Sequence, residues 1–463
     1  MKKENKNFLY NTIYQIFIFL IPFLTTPYIS RVLGANNVGI YSYTYSIVYY
    51  FMLCSMIGIN NYGAREIAKV SKDVFERSKK FWGIYYLQLF LTAIMLLLYL
   101  FMLIFFNFSY KNIMLVQLIF LVSVLFDVNW FFFGMEKFKI TISRNIIIKI
   151  LSMILIFLIV KDKNDLWKYT LIMSSSILLS QIYLFAHLRG NVIKVKIKLK
   201  DVFSHLKTCI ILFIPVISYS IYRVMDKTMI GQFSNTFELG NYESAEKILT
   251  IPTSFITALG SVMLPSMSKE SDDKNSKKIY DTFELCFLII IPISFGLLAV
   301  SNKFSLLFFG SEFKKVGWLI KILIPSIIFS SIANVIRTSF LIPKSFDKIY
   351  VRSTIYGAIV NLFFNLIFIK KYGAYGACIG TIAAEFVVMI YQFFYTRKFI
   401  NYKIVFESFK NYFEKSFVMF VFLIIIDILF KNNLLSLILQ IIFGVIYYII
   451  VNKKYLIHNF FGR

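Results

Sequence analysis

The sequence predicts an all-α polytopic membrane protein, and three observations lead to this fold class. Apolar residues make up 58% of the 463 residues, against about 45–50% in soluble domains, and only 16% are charged. A soluble fold of this length needs more polar surface to cover its core. The apolar residues also fall into runs of about 20, the length that crosses a bilayer. The composition excludes an ordinary soluble enzyme, a secreted disulfide scaffold and a disordered chain.

The sequence contains about 14 predicted transmembrane helices. The apolar runs cover residues 8–32, 37–60, 81–106, 112–133, 145–160, 168–188, 208–232, 243–265, 283–309, 316–342, 349–369, 373–394, 416–430 and 434–451. The fifth and thirteenth runs are short, so twelve spans are the alternative. The first run is too long for the apolar part of a cleaved signal peptide, and we expect it to remain as a span.

Basic residues are distributed unequally between the two sides of these spans. Lys and Arg outnumber Asp and Glu by 50 to 24, a net charge of +26. Of the 50, 34 lie in tails and loops on one side, and 13 lie near span ends on the other. Because Lys and Arg concentrate in cytoplasmic loops, we expect a multi-pass protein of the cytoplasmic membrane with both termini in the cytoplasm. Membrane lipids are therefore expected partners, and nucleic acid is not.

The sequence also contains a repeat with a period near 195 residues. FLIPFLTTPYISRVLGANNVGIYSY, in the first two spans, resembles LFIPVISYSIYRVMDKTMIGQFSNTFELGNYESA in the seventh and eighth. The repeat aligns Pro22 with Pro215, Gly34 with Gly231, and Gly39 and Tyr41 with Gly240 and Tyr242. Coincidence between two apolar hairpins is the alternative.

A six-span period places both copies in the same orientation. It predicts two six-helix bundles in a parallel repeat around a central cavity, a transporter architecture, plus two C-terminal helices. The corresponding domains are an N-terminal bundle at 1–200, a C-terminal bundle at 201–400, and two additional helices with a cytoplasmic tail at 401–463.

Three stretches carry a family resemblance. They are NTIYQIFIFLIPFLTTPYISRVLGANNVGIYSYTYSI with INNYGAREIAKV, YRVMDKTMIG with LGNYESAEKI, and IPSIIFSSIANVIRTSFLIPKSFDK with GAIVNLFFNLIFIKKYGAYGACIGTIAAEFVV. The chain resembles lipid-linked oligosaccharide flippases, the Wzx-type polysaccharide exporters of the MOP superfamily. This resemblance implies export of an undecaprenyl-pyrophosphate-linked glycan, for O-antigen, capsule or a similar polymer. It also implies, as further partners, a polysaccharide polymerase and chain-length machinery.

Ionisable and amide residues within the spans are the candidate site. Ionisable side chains at membrane depth are costly and usually face a cavity. The candidates for a cationic pyrophosphate and glycan cavity are Arg31, Arg65, Arg223, Lys227, Asn334, Arg337 and Asn361. Asp226 and Glu385 are candidates for coupling to a H+ or Na+ gradient, and the membrane potential is the alternative driving force.

Each of these candidates has a structural alternative. Arg223, Asp226 and Lys227 lie on one helical face and form either a phosphate site or an internally neutralised cluster. Arg337 either faces the cavity or extends to the interface, and Arg65 is equally a topology signal. Glu385 is either a protonated, hydrogen-bonded carboxyl group or an ion site. Asparagines in spans often bond neighbouring helices.

Motifs for catalysis are missing from the sequence. There is no GxxxxGK[ST] phosphate loop, and the three histidines lack metal-ligand spacing. The cysteines lie singly in apolar surroundings, at Cys54, Cys209, Cys286 and Cys378. We therefore expect a transporter with no cofactor and no metal, and not an enzyme.

Three rival functions stay open at this point. A peptidoglycan lipid-precursor flippase has the same requirements as a polysaccharide flippase. A multidrug or cation antiporter of the same superfamily is disfavoured, because its cavity should be acidic. A membrane polysaccharide polymerase is disfavoured by the short loops and the repeat.

Overall fold

The computed structural model describes residues 3–267, 272–430 and 432–453, with the side chains of the first helix from residue 21 onward. These residues are largely helical and include no strand, which confirms the predicted fold class. The helices are α1 (Lys3–Met56), α2 (Ile59–Lys69), α3 (Val74–Phe105), α4 (Lys111–Ser123), α5 (Asn129–Gly134), α6 (Phe138–Ile159), α7 (Leu166–Ala186), α8 (Leu199–Ser204), α9 (Leu206–Phe233), α10 (Thr236–Met267), α11 (Asp272–Phe309), α12 (Lys314–Ile336), α13 (Asp347–Tyr372), α14 (Ala374–Thr396), α15 (Tyr402–Leu429) and α16 (Asn433–Val451).

Ten helical segments within the described ranges are long and apolar enough to cross a membrane. The first, Ile21–Lys69, joins two predicted spans. The predicted loop at residues 33–36 is reduced to a single non-helical residue, Gly34, with φ 77° and ψ 170°. The turn between the first two spans therefore depends on one glycine in a conformation that other residues rarely adopt.

The two spans that looked short in the sequence are long helices. α6 has 22 residues and α15 has 28. At 1.5 Å per residue they measure about 33 and 42 Å, both above the ~30 Å of a hydrocarbon core. α6 is one of the ten candidate spans, whereas α15 is not among them, so the choice between fourteen and twelve spans stays a prediction.

The described chain divides into two compact units, Met1–Gly231 and Gln232–Arg463. In the first unit α1 packs against α3 and α4, α3 against α4, and α7 against both α4 and α6. In the second unit α10 packs against α11 and α12, α11 against α12, and α14 against both α12 and α13. The same packing order thus occurs in both units, as a six-span repeat predicts. The boundary proposed between residues 200 and 201 follows from that repeat and stays a prediction.

The fourth predicted span is broken in the first unit. α4 ends at Ser123, a 3₁₀ turn covers Val124–Phe126, and α5 begins at Asn129. Gln88 of α3 satisfies the interrupted backbone, because its Nε2 donates to the carbonyl oxygens of Val124 (2.7 Å) and Asp127 (2.9 Å). A side-chain amide replaces backbone donors that the break removes.

Helices α15 and α16 are attached to α11 in the second unit. Lys303 Nζ lies 2.7 Å from Asp427 Oδ1 and donates to Ser436 Oγ at 3.0 Å. Gln440 Nε2 donates to the same Asp427 oxygen at 3.2 Å. One cation on α11 therefore joins both C-terminal helices. Nearer the other end of α11, Tyr412 donates its hydroxyl to Glu284 at 3.0 Å.

Glycine is required at the turn between α1 and α2. Gly58 has φ +80°, and a Cβ there would lie 2.5 Å from the carbonyl oxygen of Cys209 in α9. Gly190 has the same φ, but a Cβ there would meet nothing within 4 Å. Substitutions at these two residues can therefore separate the free-energy cost of the backbone conformation from the cost of close packing.

Gly58→Ala should lower the melting temperature more than Gly190→Ala. Both substitutions cost about 1–2 kcal/mol for a left-handed backbone. Only Gly58→Ala also forces α2 and α9 apart, at a further cost of about 1–3 kcal/mol. Thermal unfolding of the detergent-solubilised protein measures the difference, and equal shifts would contradict the close approach.

Candidate functional site

The predicted site residues fall in both units. Arg31, Arg65, Arg223, Asp226 and Lys227 lie in the first unit, and Asn334, Arg337, Asn361 and Glu385 lie in the second.

The α9 cluster consists of Arg223, Asp226 and Lys227, as the sequence predicted. Asp226 is 3% exposed, whereas Arg223 and Lys227 are half-buried. The carboxylate interacts electrostatically with Tyr50 of α1. A buried carboxylate between two less buried cations leaves one net positive charge on this part of α9. Both the phosphate-site and the structural interpretations share this geometry.

The cluster is held against the second half of α1 by close contacts. Thr228 donates to Ser46 Oγ at 2.9 Å. One turn further along, a Cβ on Gly231 would lie 2.1 Å from the ring of Tyr43, so only glycine fits there. α9 therefore contacts α1 next to the α9 cluster, and α1 also carries the exposed Arg31 three residues before the Gly34 break.

Arg65 belongs to a basic cluster around Glu66 on α2. The Arg65 guanidinium is 3.8 Å from Glu66 Oε1, which also accepts a hydrogen bond from Lys69 at 2.7 Å. Lys80 of α3 lies 3.5 Å from the other carboxylate oxygen. One carboxylate thus serves three cations, and the group keeps an excess of positive charge with Arg65 half-exposed.

His205 connects α2 with the start of α9. Its Nδ1 lies 2.6 Å from the Tyr62 hydroxyl, and a Cβ on Gly83 would lie 2.9 Å from its Nε2. Burial lowers the pKa of His205 below its ordinary 6.5, and the nearby Lys80 lowers that pKa further. Glu66 and Asp201 act in the opposite direction. The imidazole is therefore neutral near pH 7.

Arg337 begins a π-helical turn at the end of α12. The turn covers Arg337–Leu341, and the Ile342 amide donates to the Arg337 carbonyl at 2.9 Å. The guanidinium carbon lies 5.3 Å from the ring centroid of Tyr350, which is cation–π geometry. Such turns within helices often accompany functional sites. The half-buried guanidinium of Arg337 therefore lies against an aromatic face.

Each of the two predicted asparagines has one buried amide atom with no hydrogen-bond partner among the described residues, Asn334 Oδ1 and Asn361 Nδ2. Asn334 Nδ2 reaches Thr257 Oγ1 only at 3.5 Å, and its buried Oδ1 has no partner among the described residues. Asn361 is fully buried and accepts from Asn365 Nδ2 at 3.1 Å. A Cβ on Gly380 would lie 2.2 Å from Asn365 Oδ1, so this asparagine pair packs directly on α14. Asn361 therefore takes part in helix packing, and both asparagines keep unused hydrogen-bonding capacity.

Glu385 lies in α14 and is 6% exposed. The neighbouring turns of α14 pack closely on α13, where a Cβ on Gly357 would lie 2.5 Å from Val388. A buried carboxyl group at this depth agrees with the predicted mid-span position. Burial is common to the ion-site and the structural interpretations.

Sequence reasoning missed Arg144, because it lies just before the predicted span at residues 145–160 and was counted among the basic residues outside the spans. α6 begins at Phe138, and Arg144 is buried in its second turn at 4% exposure. Its guanidinium donates to Asn129 Oδ1 at 3.0 Å and to Gln181 Oε1 at 3.4 Å. Asn129 Nδ2 in turn donates to Asp127 at 2.7 Å. The missed signal is that residues 138–159 contain no Gly or Pro, so the helix extends beyond the apolar run.

Comparisons with known proteins decide the family. Residues 5–271, more than half of the chain, match the family described as "Polysaccharide biosynthesis protein". The chain belongs to this family. It is 24% identical to a putative O-antigen transporter of Shigella dysenteriae over 385 residues, which is 81% of this chain and 95% of that protein. It is 26% identical to the probable low-salt glycan biosynthesis flippase Agl15 of Haloferax volcanii over 242 residues, half of each chain.

Solved structures show the same fold for this member of the polysaccharide biosynthesis family. The lipid II flippase MurJ, in an inward closed conformation, has a TM-score of 0.79 at 18% identity, covering 97% of this chain and 99% of that one. An inward-facing multidrug resistance MATE transporter of the MOP superfamily has a TM-score of 0.60 at 14% identity, covering 85% and 96%. Relatives and structural neighbours are named as transporters, which confirms the predicted multi-pass transporter class.

His205 should make stability depend on pH. Its pKa is lower in the folded protein than the 6.5 of an unfolded chain, so the unfolded state binds the proton more readily. The stability that His205 contributes is complete above about pH 6.5 and is lost as the pH falls toward the folded pKa. Melting temperatures between pH 7.5 and 5.5 should therefore fall less in His205→Gln than in the wild type. An equal fall in both proteins would show that His205 does not exclude the proton.

Proposed function

We propose that this protein is a flippase for undecaprenyl-pyrophosphate-linked oligosaccharide repeat units. It moves them across the cytoplasmic membrane for the synthesis of a surface polysaccharide. The observation that carries the proposal is the match to a putative O-antigen transporter over 81% of this chain and 95% of that protein. The half-length match to a glycan biosynthesis flippase supports the same substrate class.

The chemistry of the substrate explains why cations are needed. An ionised pyrophosphate cannot enter bare hydrocarbon, because burying an isolated charge costs on the order of tens of kcal/mol. Arg and Lys side chains replace part of its lost hydration, and the prenyl tail stays in lipid. We assign this role to the half-buried Arg223 and Lys227 of α9 and to the half-buried Arg337 in the π-helical turn after α12.

Alternating access is the transport mechanism that we infer from this architecture. A cationic cavity opens first to the cytoplasm and then to the outside, so the head group never crosses lipid. An inside-negative potential favours anion export by about 2.3 kcal/mol per charge per 100 mV. Coupling to H+ or Na+ through Asp226 or Glu385 is a further element of the proposal. A polymerase and chain-length proteins receive the exported units.

The two rival transport functions have weaker support. The match to the lipid II flippase MurJ of Bacillus subtilis covers 34% of this chain and 30% of that protein, and the MurJ structure supports the fold alone. A cation antiporter requires acidic residues where this chain has Arg223, Lys227 and Arg337.

Substitutions of Arg223 and Arg337 test the cationic site. Export should decrease in the order Arg, Lys, Ala, Glu, because Lys keeps the charge without the planar fork and Glu reverses the charge. Arg→Ala should remove most export, and Arg→Glu should abolish it. The assay is transport by the purified protein in liposomes that contain a defined lipid-linked glycan.

Folding has to be measured beside export in this series. Loss of Arg223 deprives buried Asp226 of a cation and costs several kcal/mol without any contact to substrate. Membrane levels and melting temperature identify such variants. Lys398→Ala removes an exposed cation in the second unit and serves as the control. Well-folded Arg223→Ala and Arg337→Ala proteins that export at the wild-type rate would refute the cationic site.

Glu385→Gln tests ion coupling. The substitution removes the titrating group and keeps the shape and most hydrogen bonding. If Glu385 couples export to an ion gradient, the variant should retain glycan binding and lose the dependence of export on the imposed gradient. Transport measured with and without a pH or Na+ gradient decides this, and an unchanged dependence would make Glu385 structural.

A further inference from the structure

The segment between α7 and α8 is irregular in backbone but fixed in position. Trp82 of α3 donates its indole N–H to the Ile193 carbonyl at 2.8 Å, and the Ile193 amide donates to Ser78 Oγ at 3.0 Å. Arg77 donates through Nε and Nη2 to the Asn191 carbonyl at 3.0 and 2.7 Å. The residues that follow are therefore held beside the first turns of α3.

These following residues form a basic strip, defined as residues 194–200 with the sequence KVKIKLK. The two residues Val195 and Ile197 are half-buried, and Ile197 packs against the apolar core of the first unit. The lysines between and around them are exposed, at Lys194, Lys196, Lys198 and Lys200. None of these four lysines forms an ion pair with a described residue. The strip itself contains no acidic residue, and the first one after it is Asp201.

Apolar side chains next to the strip are exposed. Leu199, between two lysines, is 76% exposed. Phe203 of α8 is 42% exposed and lies edge-on to the exposed ring of Phe90, with 5.3 Å between centroids. Phe90 is two turns further along the membrane-spanning α3 than Trp82, so this aromatic pair faces lipid. The strip thus lies at the boundary between the apolar span and water.

We propose that the basic strip binds anionic phospholipid head groups of the membrane leaflet that it faces. Its lysines contact the lipid phosphates, and Leu199 and Phe203 lie among the upper parts of the acyl chains. Positive charge beside exposed apolar side chains matches a surface that is anionic above and apolar below. Each Lys near such a surface strengthens attachment roughly fivefold. Because the strip leads through α8 into α9, bound lipid also holds the beginning of the helix that carries Arg223.

Lipid retention by the purified full-length protein tests this proposal. The protein in detergent receives equal amounts of phosphatidylglycerol, which is anionic, and phosphatidylcholine, which is not. Lipid that stays bound after washing is quantified by mass spectrometry. The wild type should retain mainly phosphatidylglycerol. The variant K194Q/K196Q/K198Q/K200Q should lower the ratio of anionic to neutral lipid at least about tenfold.

Two further variants test whether lipid retention depends on the basic strip itself, rather than on the net charge of the protein or on misfolding. K194R/K196R/K198R/K200R keeps the charge and should keep the lipid ratio of the wild type. K277Q/K348Q/K398Q/K403Q removes four exposed lysines of the second unit and should change the ratio less than twofold. Equal losses in both Gln variants would overturn the proposal, since net charge alone would then explain retention. Displacement of phosphatidylglycerol by soluble inorganic pyrophosphate would also overturn it, because the strip would then bind free phosphate groups.

Discussion

Hydrocarbon offers no hydrogen-bond partner, so each polar group inside a span must find one within the protein. This constraint accounts for the helical backbone. It also accounts for the side-chain hydrogen bonds that satisfy the backbone where a helix is interrupted. At the break between α4 and α5, Gln88 donates to two freed carbonyl oxygens. At the end of α6, the Tyr28 hydroxyl donates to the Val160 carbonyl at 2.6 Å. At both of these interruptions a side chain from a neighbouring helix satisfies the freed carbonyl oxygens.

The same constraint sorts the charged residues into two kinds. Arg144 and Lys303 lie in spans and are surrounded by acceptors, so they connect helices. Arg223 and Arg337 are half-buried, the first beside a carboxylate on its own helix and the second over an aromatic ring. The second kind is the kind that the proposed cationic site requires, since its positive charge is not enclosed among acceptors.

The sequence predicted the helices well because each depends on local composition, and it predicted contacts poorly because these join distant residues. The apolar runs were enough to predict where most of the long helices lie. The repeat predicted that the helices pack in the same order in both units. Arg144 was missed because its acceptors, Asn129 and Gln181, come from other helices. The single-residue turn at Gly34 was missed because a left-handed glycine leaves no trace in hydropathy. Asn361 accepts a hydrogen bond from Asn365, one turn away on the same helix, and its role beside the substrate stays a prediction.

The C-terminal helices are attached to α11 at two points that lie far apart along its length. Glu284 and Lys303 are 19 positions apart, about 28 Å along a helix, which nearly equals the thickness of the hydrocarbon core. α15 is thus fastened to α11 close to both membrane surfaces and has little freedom to swing away from it. A chain shortened to twelve helices, ending near residue 400, would leave the Lys303 ammonium facing acyl chains with its carboxylate gone. The last two helices are therefore tied to the second unit at two depths, although they lie outside the six-span repeat.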